Sequence, residues 1–329
     1  MPPKISILIA VRNEEKVILR CLRTLEQLTY PTASLQILIG NDASTDNTYQ
    51  VVSDFIAGKP SFELHHITET VGKQVGKGNV LAQLAQRATG DFLFITDADV
   101  AVSKDWIEAT LAYFDKPEVG VVSNFTWIES HNIFEACQSL EWTQALFTFS
   151  TLATYKIPLT AQGNNMAMRQ EAYRATGGYE ALQFSVTEDF ALFWEILAKG
   201  YDFRNTMHQK GMVTTLPAQT WHEVFKQRRR WMVGAFGLGL GWQMILWTRI
   251  FAFPILFALF FFVPMVSVGM AGFMCVNSYF TLFFALKRVG KLRYLSYFPF
   301  FIFYQEIMLL GSAFYYARHK RVKWKGREF

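Results

Sequence analysis

The strongest constraint on this chain is how its apolar mass is segregated. After Ile245 the sequence carries two long apolar runs, Ile250 to Leu286 and Tyr297 to Tyr316. The basic cluster Lys287, Arg288, Lys291 and Arg293 interrupts them, and Arg318-His319-Lys320-Arg321 and Lys323 close them. About 20 apolar residues cover the roughly 30 Å of a bilayer's hydrocarbon. The first run therefore predicts a helical hairpin and the second one further helix, two to three spans in all. With 51% hydrophobic residues, 18% charged and 31 Phe, the chain does not have the composition of an ordinary soluble enzyme.

The formal net charge of +5 is an average of two unlike parts. From Ile245 onward 11 Lys and Arg stand against 2 acidic residues, a net of +9, whereas Met1 to Met244 holds 21 basic and 25 acidic residues, a net of −4. The excess lies beside the apolar runs, so it reads as a positive-inside orientation signal and no nucleic-acid partner is expected. The topology contains a conflict. If the charged first part is cytoplasmic, a hairpin returns the chain to the cytoplasm at Lys287, but a single final span places the basic end outside. Glu306, in the middle of that last segment, is costly at mid-bilayer unless paired. A re-entrant or interfacial last segment would resolve both problems. Cys21, Cys137 and Cys275 form no C-x-x-C pattern and no disulfide framework, as in a reducing compartment. Met1-Pro-Pro-Lys runs directly into a strand pattern, which predicts a first domain that is not secreted.

Before the membrane-like region, short apolar runs alternate with helical patterns. Ile5 to Val11, Leu35 to Gly40, Phe62 to Ile67 and Asp91 to Thr96 read as strands, with helices at about 14–28, 46–57, 79–89 and 104–115. This predicts an α/β fold with a mostly parallel sheet covered by helices on both faces. In such sheets ligands bind beyond the carboxyl ends of the strands. Polar turns follow those ends here: Arg12-Asn13-Glu14-Glu15, Asn41-Asp42-Ala43-Ser44-Thr45-Asp46 and Asp97-Ala98-Asp99. None is a Gly-x-Gly-x-x-Gly turn, and Gly76-Lys77-Gly78-Asn79 lacks the hydroxyl of a P-loop, so neither a dinucleotide nor a P-loop site is expected.

Asp97 and Asp99 are two apart and in an extended segment point the same way, which suits a hard divalent ion, Mg²⁺ or Mn²⁺, shared with substrate phosphates. Taken alone, such a pair is commonly no more than solvated turn carboxylates, and Asp42 reads equally as part of a turn before a helix cap. Thr187-Glu188-Asp189 opens an apolar helix, where two acids also favour the helix dipole. In Gln227-Arg228-Arg229-Arg230-Trp231, positions 227, 230 and 231 share a helical face, presenting an amide, a guanidinium and an indole together. Arg228 and Arg229 read equally as functional groups and as interfacial side chains reaching lipid headgroups.

In this order and spacing the signals resemble the inverting family 2 glycosyltransferases of GT-A fold, in the membrane-bound branch related to cellulose, chitin and hyaluronan synthases and ceramide glucosyltransferase. The text that carries the resemblance is ILIAVRNEE, ILIGNDASTDNT, GKGNVLAQLAQRATGDFLFITDADV, QGNNMAMRQEAYRATGGYE, VTEDF and QRRRW, nearly all of residues 4–231. The resemblance implies that Val11, Glu14 and Asp42 hold the nucleoside of a UDP-sugar, with Lys77 and Asp97 on the nucleotide and donor sugar. It makes Asp99 the metal ligand, with Asp97 beside it, and Asp189 the general base of the Glu188-Asp189 pair. It assigns Gln227, Arg230 and Trp231 to the diphosphate and the acceptor end, and Gly163, Asn164 and Asn165 to a turn beside the acceptor. Ala82 stands where the family has Asn. The expected organisation is a cytoplasmic catalytic domain over 1–215, interfacial helices over 216–244 and a membrane region over 245–329, placed in the cell (inner) membrane. Two or three spans cannot enclose a polysaccharide channel in one subunit, so the expected acceptor is a lipid or lipid-linked glycan. A polysaccharide synthase completed by a homo-oligomer or a partner subunit is the alternative within the class. A non-catalytic scaffold would show a broken site, and no site residue is missing.

Overall fold

Strand β1 (Ile5–Val11) has no polar face because it lies inside a sheet, with six of its seven residues buried. In the computed structural model, which describes residues 2–235, 237–318, 323–324 and 327–328, the chain divides into two compact units. The first unit is Met1–Trp127 with Phe149–Leu216, and the second is Ile128–Thr148 with Pro217–Phe329. His319, Lys320 and Arg321 of the basic tail lie outside the described residues.

In the first unit β1, β2 (Leu35–Asn41), β3 (Phe62–His66) and β4 (Phe92–Asp97) pair in parallel in the order β3-β2-β1-β4. Each lies within one residue of its expected bounds. Helices α1 (Ile18–Glu26), α2 (Thr48–Ile56), α3 (Lys77–Arg87) and α4 (Trp106–Leu111) follow them. Helix α3 starts two residues earlier than its pattern predicts, because Gly76 at φ 61° adopts a backbone that favours glycine and turns Lys77 into the first helical position. Strand alternation sorts the core. Ile7 and Ile9 pack with Cys21, Leu22, Val52 and Trp106 on one face, while Leu8 packs with Val80, Leu84 and Phe193 on the other.

The chain continues through β5 (Ala101–Val102), β6 (Val119–Ser123), β7 (Thr126–Ile128), α5 (Ile133–Thr154) and β8 (Asn165–Arg169). After these come α6 (Gln170–Ala175), α7 (Gly178–Ala181), α8 (Glu188–Ala198), β9 (Asp202–Asn205) and β10 (Val213–Thr215). Strand β8 enters antiparallel between β4 and β6, with Asn165 opposite Thr96. The result is a mixed, mostly parallel seven-stranded sheet, β3-β2-β1-β4-β8-β6-β9. The insertion sets the 163–165 turn beside the end of β4, where Thr96 donates to the Asn164 carbonyl at 3.1 Å.

The second unit contains the first part of α5, then α9 (Trp221–Ala235), α10 (Leu240–Phe260), α11 (Pro264–Arg288) and α12 (Phe298–Arg318). Leu240–Phe260, Pro264–Arg288 and Leu292–Arg318 are each long and apolar enough to cross a membrane. Glu306 is paired, its carboxylate 3.1 Å from Arg249, and Arg249 also donates to Gln305 at 2.8 Å. The carboxylate in α12 is therefore not a lone charge.

At the sheet edge, Asp202 accepts from Arg204 at 2.7 Å and from Lys156. Burial alone would raise this carboxyl, but the hydrogen bonds from Lys156 and Arg204 outweigh it and hold the group at about 2. A carboxyl lowered by folding stabilises the fold above its unfolded value, near 3.9, and loses that contribution as pH falls through its folded value. Asp202→Asn should therefore cost on the order of 1–2 kcal/mol at neutral pH, with some discount for the exposed Lys156. Thermal unfolding in detergent should show the gap to wild type closing between about pH 4 and pH 2.

Candidate functional site

The polar turns gather at the carboxyl ends of β1, β2 and β4. The first two are fastened to each other: the Asn13 side chain accepts from the Thr45 amide at 2.8 Å, and the Asn13 amide donates to Ser44 Oγ at 3.0 Å. Asp42 is buried, with Arg12 Nη1 3.8 Å from its carboxylate and 2.5 Å from its carbonyl. The Val11 carbonyl accepts the Asp42 amide at 2.9 Å, so the Val11 side chain sits in the core and only its backbone belongs to this edge. The Glu14 amide donates to Thr48 Oγ1 at 2.7 Å at the start of α2.

At the end of β4 the alternation is as the spacing predicts. Asp97 and Asp99 are partly exposed, while Ala98 and Val100 between and after them are buried. Lys77 Nζ lies 2.6 Å from Asp97 Oδ1 and 3.3 Å from Glu188 Oε1, joining the first residues of α3 and α8 to the end of β4. Burial by itself would lower the Lys77 ammonium, but Asp97, Glu188 and Asp189 together outweigh it and raise it above the ordinary lysine value. Asp99 Oδ2 accepts from Thr215 at 3.2 Å, and its carbonyl accepts from Arg20 at 2.7 Å. Behind them the Cys21 thiol is pushed up, first by burial and then by the negative charge of Asp99 and Asp97. Among the described residues no group of three or more His, Cys, Asp or Glu side chains could hold a metal ion. Two hard carboxylates fit Mg²⁺ or Mn²⁺ only as part of a ligand set that substrate oxygens complete.

Asp189 is held at both oxygens: Oδ2 accepts the Gly163 amide at 2.7 Å and Oδ1 accepts the Phe190 amide at 2.9 Å. A Cβ on Gly163 would lie 2.8 Å from Asp189 Cβ and Oδ2, so the absence of a side chain there is what lets the carboxylate seat. The 163–165 turn is thus a support for Asp189. Asn164 accepts from Thr126 at 3.0 Å. Asn165, expected in a turn beside the acceptor, lies in the core: it is fully buried, accepts from Trp106 Nε1 at 2.8 Å and donates to the Phe125 and Gly211 carbonyls. Both of its amide N–H donors are committed to protein carbonyls. Ala82 is likewise buried in the core. The nearby amide on α3 is instead Asn79, which accepts from Val71 and donates to the Glu69 carbonyl, both at 2.8 Å.

In the second unit Gln227, Arg230 and Trp231 are carried by α9, whose start is fixed by a reciprocal cap. Thr220 Oγ1 accepts the Glu223 amide at 3.2 Å, and Glu223 accepts the Gln219 and Thr220 amides. The residue that organises this helix is Arg228. It is buried, forms a two-bond fork with Glu141 at 3.0 and 2.7 Å, donates to Gln227 Oε1 at 2.7 Å and lies 4.2 Å from the centre of the Trp231 ring. Trp231 in turn stacks on Trp142 at 4.5 Å. Burial alone would lower the Arg228 guanidinium, but Glu141 outweighs it and raises it. Sequence spacing left Arg228 open because its partner lies 87 residues earlier.

The glycosyl transferase family 21 model matches residues 1–329, the whole chain. The chain belongs to glycosyl transferase family 21. Among curated relatives of this family 21 chain, the beta-monoglucosyldiacylglycerol synthase of Nostoc sp. (strain PCC 7120) is 26% identical over 254 residues, 75% of this chain and 52% of its own length. The probable glycosyltransferase YdaM of Bacillus subtilis is 27% identical over 324 residues, 94% of this chain and 74% of its own. The chain spans about half the length of the first of these. A mannosyltransferase from Pyrobaculum calidifontis, solved in complex with GDP-Man and Mn²⁺, aligns with a TM-score of 0.59 at 18% identity, covering 93% of this chain and 88% of its own. That likeness shows the fold, which is of the GT-A type. The matching family is numbered 21, where the sequence resemblance named family 2; the fold and the glycosyltransferase kinship agree.

In the family 21 chain the Gly163 contact generates a direct test. Gly163→Ala should displace Asp189, and if that carboxylate takes part in transfer, activity should fall by roughly 10-fold or more, because misplacing a reacting group by about 1 Å can cost 10²-fold. The melting curve should stay near that of wild type. Assay of the purified variant checks this, and wild-type turnover would remove the support role of Gly163.

Proposed function

We propose that this family 21 chain transfers a sugar from a UDP-sugar to the hydroxyl of a lipid or lipid-linked acceptor, with inversion at the anomeric carbon. The observation that carries the reading is the convergence of Lys77, Asp97, Glu188 and Asp189 at the carboxyl edge of the sheet, with Asp189 seated by two backbone amides. Relatives named as synthases of beta-monoglucosyldiacylglycerol support the lipid acceptor.

In this reading the loop after β1 and buried Asp42 receive the nucleoside, at Val11 and Glu14. Lys77 and Asp97 receive the nucleotide and donor sugar. Asp99, with Asp97, would hold a divalent cation, which supplies charge neutralisation for the departing diphosphate when bound. Asp189 takes the proton from the acceptor hydroxyl as that oxygen attacks, and Glu188 keeps Lys77 in place beside it. One base with no covalent carboxylate intermediate gives inversion, by the geometric logic of inverting hydrolases. Gln227, Arg230 and Trp231 on α9 offer an amide, a guanidinium and an indole suited to a diphosphate and to the acceptor end of the reaction. Residues 1–215 would act as the catalytic domain, 216–244 as interfacial helices and 245–329 as the membrane region. The basic clusters favour a cell (inner) membrane location with the catalytic domain facing the cytoplasm.

Asp189→Asn should abolish transfer while UDP affinity stays within a few-fold, because the base acts on the acceptor and not on the nucleotide. Equal loss of transfer and of UDP binding would refute the base role. Chelation by EDTA should remove activity, and Mg²⁺ or Mn²⁺ should restore it. Both are read with radiolabelled UDP-sugars and lipid extract, where a single-sugar lipid product is expected and a ladder of products would overturn the lipid acceptor.

A further inference from the structure

Helix α12 differs from its two apolar neighbours. Helices α10 and α11 expose apolar side chains in most directions, with only Ile250 and Leu256 buried along α10. On α12 the exposure is a single stripe, Phe300, Phe303, Ile307, Leu310 and Phe314, at alternating spacings of three and four. Phe303 is 73% exposed and Phe314 67%, while Phe301, Tyr304, Met308 and Ser312 on the other face are buried. Tyr304 on the buried face donates to Glu141 of α5 at 3.2 Å, while the half-buried Gln305 and Glu306 at its flank meet Gln144 of α5 at 2.8 Å and Arg249 of α10.

The first turn of α9 lies across the middle of this helix. Trp221 stacks on Tyr304 at 5.4 Å, and Phe225 stacks on Tyr315 at 6.2 Å. A Cβ on Gly311 would lie 2.5 Å from the Phe225 ring. That turn also carries His222, Glu223 and Lys226, all exposed. If α12 crossed a bilayer, Tyr304 to Tyr315 would occupy about 16 Å of its central depth. The exposed charges of α9 would then stand in hydrocarbon, where an unpaired acidic or basic side chain is costly.

We propose that α12 does not cross the membrane but lies in the plane of a lipid surface, with the Phe300–Phe314 stripe facing the acyl chains and α5 and α9 covering its other face. This rests on the membrane association proposed above. It places Lys287, Arg288, Lys291 and Arg293 before the helix and Arg318 at its end on one side, that of α9, at the level of anionic headgroups. The positive-inside rule then holds at both ends of the helix.

The experiment uses the full chain in vesicles of phosphatidylethanolamine and phosphatidylglycerol, with Cys275 replaced by Ala and buried Cys21 and Cys137 retained. Spin labels at Phe300→Cys, Ile307→Cys and Phe314→Cys should report one common depth. A spanning helix would set successive labels about 10 Å apart. As a second readout, Lys226→Cys and Arg318→Cys should react with a membrane-impermeant maleimide from the same side of sealed vesicles. Graded depths or labelling from opposite sides would overturn the in-plane helix and leave membrane association standing. A chain that does not sediment with the vesicles would overturn both.

Discussion

The ammonium of Lys77 stands between Asp97 at the end of β4 and Glu188 at the start of α8, and it compensates carboxylates that would otherwise repel at close range. With Asp189 the cluster has three carboxylates to one ammonium, and Asp99 adds a fourth on the same edge. In the proposed function this excess of negative charge is what a divalent cation would offset. Three backbone features bring these groups together. Gly76 starts α3 at Lys77, β8 enters antiparallel to bring Gly163 beside Asp189, and Thr187 hands the chain into α8 with both acids in its first turn.

The second unit repeats the theme with an arginine. Arg228 binds Glu141, Gln227 and the Trp231 ring at once, so the amide and indole of α9 are oriented by a buried guanidinium and not by their own contacts with solvent. A planar fork can do this where a lysine ammonium could not. The same Glu141 accepts from Tyr304, so the helix that carries these groups is tied through one carboxylate to the helix proposed to rest on lipid. Unlike these paired groups, His222, Glu223 and Lys226 of α9 are exposed, and it is they that bear on the position of α12.

Much of the first unit was legible because period-two alternation and turn residues report local geometry. The four leading strands fell within a residue of their expected bounds, and the Asp97/Asp99 pair faces as its spacing requires. Helix α4 stops four residues short of its apolar pattern. The antiparallel entry of β8 was not legible, since pairing direction depends on the path of the intervening chain. Asn165 reads in sequence like the residues beside it, yet it is sealed in the core by Trp106, Phe125 and Gly211. The seating of Asp189 by an amide 26 residues away leaves no mark in local pattern.

By itself, the sequence determined the separation of an acidic α/β part from a basic, Phe-rich end, the carboxylates at strand ends and the face shared by Gln227, Arg230 and Trp231. These follow from composition and from backbone periodicity, which act over a few residues. Only the tertiary structure decided that Lys77 joins Asp97 to Glu188, that Gly163 seats Asp189, that Arg228 organises α9 and that Glu306 has a partner in Arg249. Each of those joins groups from 20 to 111 residues apart, and such pairings depend on how sheets and helices pack, which no local pattern encodes.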